Sequence, residues 1–128
     1  MSEGKNYDWT GVWVLASIHI AQTDAAKDVP KAYKKMNFTE QLTKYKNLYR
    51  IIYAGDYINR AIFTNSELID GIDRLTKMGY IEEKESFLLT TKKLKNRYEK
   101  ATAKMKSVSL DTELHIFANI LQTRLPWE

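Results

Sequence analysis

The densest chemistry in this 128-residue chain is cationic. Lys92, Lys93, Lys95, Arg97, Lys100, Lys104 and Lys106 crowd one short stretch. Residues 87–106 hold seven basic groups and one acidic group, a balance of +6. Residues 24–50 hold seven and three, a balance of +4, and residues 56–86 hold four and seven, a balance of −3. The net charge of +4 therefore hides a basic–acidic–basic order along the chain. A row of ammonium and guanidinium groups neutralises phosphates, and each phosphate so contacted adds salt-dependent affinity. Lys31, Lys34, Lys35, Lys44 and Lys46 can extend that surface. The plainer reading is a solvated helix face whose lysines pair with Glu82, Glu83 and Glu85.

Other chemistries find little support. His19 and His115 are the only histidines. Both fall on apolar helical patterns, where histidine is usually a packed or boundary residue, and two without carboxylates at ligand spacing make a poor metal site. The absence of cysteine removes thiolate catalysis and cysteine-based metal centres, and it fits a reducing cytoplasm. No phosphate loop, dinucleotide fingerprint or nucleophile elbow occurs. Asp56 and Asn59 form a polar pair one helical turn apart, better suited to capping than to catalysis. No enzyme, no cofactor and no metal are expected. Trp9, Trp13, Tyr45, Tyr49, Tyr53 and Tyr57 line either an effector pocket or, more commonly at this spacing, a core. Met1 to Asp8 lacks a secretory pattern, and Val12 to Ala21 is too short to span a bilayer, so a cytoplasmic protein with no membrane partner is expected.

The elements that position these residues follow from periodicity. Asp8 caps a largely buried helix over Trp9–Gln22, and Thr23 to Asp28 is a polar link. Asp28-Val29-Pro30 starts a short helix to Met36. A longer helix runs from Asn37-Phe38-Thr39-Glu40 to about Asn59, with a kink or break at Gly55-Asp56, where glycine costs about 1 kcal/mol against alanine. Thr64 to Glu67 spells a capping box, in which the hydroxyl accepts from the amide three residues on and the glutamate accepts from the threonine amide. Leu68, Ile69, Ile72, Leu75 and Met78 form the buried stripe of the helix that follows, and Gly79 stops it. Tyr80-Ile81 and Phe87-Leu88-Leu89 flank a charged tip as a hairpin, with Ile81 and Leu89 pointing inward. Helices over 91–106 and Leu110–Leu125 complete a single domain, 1–128.

The order helix, helix, capped helix, G-Y-I, charged tip and F-L-L-T resembles the winged helix-turn-helix superfamily. The echo lies in Glu67-Leu68, Leu75, Gly79, Ile81 and Leu89-Thr90. That cadence is similar to the one in many small bacterial transcription-regulator-like proteins, and the string Asp56 to Thr64 followed by Glu67-Leu68 is similar to small bacterial proteins known only as uncharacterised. The resemblance covers a motif core of about 42–92. It implies a mainly α fold with a small β-hairpin wing, carrying extra N-terminal or inserted helices and C-terminal helices.

That resemblance implies double-stranded DNA as a partner. The exposed side of the capped helix, Ser66, Glu67, Asp70, Gly71, Asp73, Arg74 and Lys77, would face the base edges, while the wing meets phosphate. Asn65, Ser66, Arg74 and Lys77 would approach the groove, and Lys84, Lys92, Lys93 and Lys95 would anchor phosphates. Glu67, Asp70 and Asp73 repel a phosphate backbone. A rival reading is a winged-helix protein–protein interaction module that docks a basic partner on the acidic helix and wing, without DNA. The resemblance also suggests a homodimer through Leu110–Leu125; the alternative is that this helix packs on Trp9–Gln22 of its own chain.

Overall fold

The structure, a computed structural model, describes residues 8–23 and 28–127. The polar start of the chain and most of the expected link from Thr23 to Asp28 therefore lie outside the described residues.

Chain order within those residues is α1 (Trp9–Ala21), α2 (Lys31–Lys34), α3 (Glu40–Thr43), α4 (Leu48–Asn59), α5 (Asn65–Lys77), β1 (Ile81–Lys84), β2 (Phe87–Thr90), α6 (Lys92–Thr102) and α7 (Leu110–Ile120). The fold is mainly helical, with one antiparallel hairpin.

α1 is the axis of the molecule. Asp8 caps it as expected, its Oδ1 accepting from the Gly11 amide at 3.1 Å. Gly11 to Ile18 are buried without interruption, because α4, α5, α7 and β2 all pack around this helix. A helix apolar on every side must be enclosed in this way. Its one buried hydroxyl, Ser17 Oγ, donates to the Trp13 carbonyl at 2.7 Å. Aromatic rings continue the axis at one end. Trp127 meets Trp9 edge-on at 5.1 Å, Trp9 lies parallel to Trp13 at 6.5 Å, and Trp13 stacks on Phe63 at 3.9 Å.

Several boundaries differ from expectation. The long helix over 40–59 is broken at Lys44–Asn47 rather than at Gly55. Asn47 is held in the core by the hairpin, so the chain turns there. At Gly55 the helix runs straight through: the missing side chain makes room for the Phe63 ring, and Trp13 Nε1 donates to the Gly55 carbonyl at 2.8 Å. α4 ends instead at Arg60, which adopts a left-handed φ of 52°. The short helix α2 starts at Pro30 without a side-chain cap from Asp28. α6 stops at Thr102 and α7 at Ile120, earlier than the periodicity predicts.

The capping box on α5 is present in full, with Thr64 and Glu67 exchanging both bonds. Gly79 takes φ +82°, the left-handed conformation that turns α5 into β1. Met78, expected in the buried stripe, is exposed. The strands pair Ile81 with Thr90 and Lys84 with Phe87 around a two-residue turn, Glu85-Ser86, both at positive φ. That tight turn decides which face looks inward. Ile81, Leu88 and Thr90 are buried, and Leu89 lies on the other face. A one-residue change of register exchanges the two faces, so Leu88 takes the place expected of Leu89.

The outward edge of β2 is covered by side-chain amides. Gln22 Oε1 accepts from the Thr90 amide at 2.7 Å, and Asn47 bonds the backbone of Leu88. Thr91 then clips the base of the hairpin, its Oγ1 donating to the Gly79 carbonyl at 2.6 Å and accepting from the Leu94 amide.

Candidate nucleic-acid interface

α5 carries its polar side chains opposite its buried stripe, but most are engaged within the chain. Arg74 forks onto Asp8 with two bonds, Nη1 to Oδ1 at 2.8 Å and Nη2 to Oδ2 at 2.6 Å. The same carboxylate caps α1, so Arg74 ties the two helices together. Lys77 pairs with Asp73 at 3.0 Å one turn away. Asn65 Oδ1 accepts from the Thr39 amide at 3.0 Å, joining the start of α5 to the start of α3. Ser66 is exposed and bonds no described residue. Gly71, expected on the exposed side, is buried against Val14 of α1.

The outer side of α5 is therefore acidic in its middle turns, with Asp70 and Asp73 in water. Between this helix and α3 lies a groove of about 400 Å³, floored by Leu42 and Ile72 and walled by Tyr45 and Ile69. Lys44 sits on its rim with Nζ 5.0 Å from the Tyr45 ring. A phosphate backbone laid on α5 would meet those two carboxylates before it met a free cation, which disfavours close approach. Lys84, at the end of β1, is exposed between Glu83 and Glu85.

α6 is different. Thr91 caps it, Leu94 anchors it in the core, and Lys92, Lys95, Arg97 and Lys100 stand in water, none of them in an ion pair with a described residue. Lys93 is set more firmly. Its Nζ donates to the Met78 carbonyl at the end of α5, 2.8 Å away, and lies 4.9 Å from the Tyr80 ring. Arg97 lies over the same ring at 5.9 Å. Buried Tyr80 thus orients two cations through its π face. Lys93, Asn96, Arg97 and Lys100 recur at helical spacing and form one wall of a cleft of about 710 Å³, with Asn119 and Ile120 of α7 on the other. No carboxylate lines this cleft. Asn96, Arg97, Lys100 and Asn119 thus lie together; the lysine run in the sequence points to α6, but only the packing of α7 reveals the asparagine opposite.

The junction of α1, α6 and α7 holds a half-buried polar cluster that spacing alone does not reveal. His19 Nε2 lies 3.2 Å from Glu113 Oε2, and Tyr98 Oη donates to the same oxygen at 2.6 Å. Burial pushes Glu113 upward, yet the hydrogen bonds from His19 and Tyr98 win and hold its pKa below the usual value. Burial and the bond to Glu113 hold the Tyr98 phenol protonated well above its ordinary range. The rings of Tyr98 and Phe117 enclose His19 at 4.8 and 5.2 Å. The cluster fastens three helices. His115 lies apart from it, its Nδ1 2.8 Å from the Asp111 carbonyl.

Among the described residues no group of three or more histidine or carboxylate side chains is placed to hold a metal ion, and no helix is long and apolar enough to cross a membrane. The apolar side chains that motivate a dimer through Leu110–Leu125 turn inward: Leu114, Phe117, Ala118, Leu121 and Leu125 are buried, and α7 packs on α1 of the same chain. Compared with known proteins, the chain matches no protein-family model, no curated protein and no solved structure.

Proposed function

We propose that this is a DNA-binding protein of winged-helix type, in which α6 rather than α5 makes the main contact. The reading rests on one observation. Lys92, Lys95, Arg97 and Lys100 stand in water without an ion pair to a described residue, while Arg74, Lys77 and Asn65 of α5 are bonded within the chain. The order of α4, α5 and the hairpin supports the winged-helix assignment, with Gly79 at the turn where that motif needs it. Binding of this kind comes from the phosphates and falls steeply with salt.

A labelled duplex of random sequence, followed by fluorescence anisotropy from 50 to 200 mM salt, tests the proposal. Affinity that falls with a constant log–log slope supports it. No binding at 50 mM salt rejects it.

A second reading is favoured by the groove between α3 and α5. Its apolar floor beside Asp70 and Asp73 suits a basic, amphipathic protein segment. That reading gains if the duplex fails to bind and nuclear magnetic resonance shifts from a short leucine–lysine peptide fall on Gln41–Tyr45 and Ile69–Thr76.

A further inference from the structure

We infer that the cleft between α6 and α7 is a discrete phosphodiester-binding site, which seats one strand of duplex backbone and makes binding independent of base sequence. This rests on the DNA-binding reading and adds to it where the strand lies. Three observations carry it. The cleft is shallow and open, and the polar groups it presents are cations and neutral amides, Lys93, Asn96, Arg97, Lys100 and Asn119, beside the apolar Ala101 and Ile120. Its cations are oriented in advance, Lys93 by the Met78 carbonyl and both Lys93 and Arg97 by the Tyr80 ring. The competing surface, the outer side of α5, carries Asp70 and Asp73.

The dimensions agree. From Lys93 to Lys100 the helix rises by about 10 Å at 1.5 Å per residue. One strand of a duplex presents a phosphate about every 3.4 Å along the axis. Because the strand also winds round that axis, its successive phosphates lie further apart than this rise, and the stripe meets about two of them. Cations at both ends of the stripe meet phosphate oxygens, and the asparagine amides donate to the same oxygens between them. None of these side chains reads a base, so base sequence makes no difference to affinity.

The test compares variants of equal charge. R97Q/K100Q empties the cleft of two cations, while K92Q/K95Q removes the same charge from α6 outside it. N96A/N119A leaves the charge unchanged. S66A probes α5. With a labelled 20-base-pair duplex between 50 and 200 mM salt, R97Q/K100Q is expected to lower affinity about 50-fold near 0.1 M and to reduce the salt slope by about 2. N96A/N119A is expected to lower affinity several-fold with little change in slope. K92Q/K95Q should cost less than a fifth of the cleft variant's loss, and S66A nothing. Two duplexes of unrelated sequence should bind within twofold of each other.

Equal losses for K92Q/K95Q and R97Q/K100Q would overturn the cleft and leave general DNA binding standing. So would a tenfold preference between the two duplexes, or a larger loss in S66A. Absence of any binding by the unaltered protein at 50 mM salt overturns both statements. Circular dichroism melting of each variant separates a lost contact from a lost fold.

Discussion

Asn47 and Leu88 exchange two hydrogen bonds in the interior: Asn47 Nδ2 donates to the Leu88 carbonyl at 2.8 Å, and the Leu88 amide donates to Asn47 Oδ1 at 3.1 Å. In this hairpin the Leu88 backbone groups point away from β1, since Leu88 and Glu83 form one of the pairs that does not exchange ladder bonds. A single side chain thus stands in for a third strand. Asn47→Ala would strand a buried donor and acceptor together. The expected loss is about 2–4 kcal/mol of unfolding free energy, read as the urea midpoint. A midpoint within error of the unaltered protein would refute this role.

The turn Glu85-Ser86 holds two ordinary residues at φ 52° and 70°. Asparagine followed by glycine suits such a turn far better. The double change Glu85→Asn with Ser86→Gly should stabilise the protein by about 1 kcal/mol. Lys46 N donates to the Ser86 carbonyl at 2.8 Å, a backbone bond that both substitutions keep. A lower melting temperature would show that the native turn relies on its side chains.

Arg74 separates structure from recognition. Its fork onto Asp8 is half in water, so Arg74→Ala should cost about 1 kcal/mol of stability. Duplex affinity should stay within twofold. A tenfold drop in affinity at unchanged stability would mean that this guanidinium leaves Asp8 for DNA.

Glu113 sets an acid limit on stability. Its folded pKa lies below the ordinary 4.5, so its contribution is complete above that pH. It is lost as pH falls through the lower, folded value. Glu113→Gln should therefore be less stable than the unaltered protein at pH 7, and the gap should narrow steadily below about pH 4.5. Chemical denaturation at pH 7, 5 and 3 measures it. A gap that is the same at all three would remove the charge from the account.

Much of the architecture was legible because it is local. Asp8, the Thr64–Glu67 box and Gly79 are short-range signals, and each acts where spacing predicts. Long-range contacts decided the rest. Phe63 and Trp13 keep α4 continuous through Gly55, and Asn47 breaks the helix that periodicity would join. F-L-L-T has apolar residues on both faces, so only the length of the turn selects Leu88 over Leu89. Of the interface, the lysine run was readable in the sequence. The bonds that withdraw Arg74 and Asn65 were not, since both reach partners far away in the chain, whereas Lys77 pairs with Asp73 only one helical turn away.

The ladder of indoles has an optical consequence. Trp13 is sealed in the interior and parallel to Trp9, while Trp127 is 55 % exposed and meets the outer rung edge-on. Emission from the three rings therefore reports on two regions at once. Detachment of the C-terminal turn would quench or redden Trp127 first, while the buried chromophore keeps its blue signal until the whole domain melts.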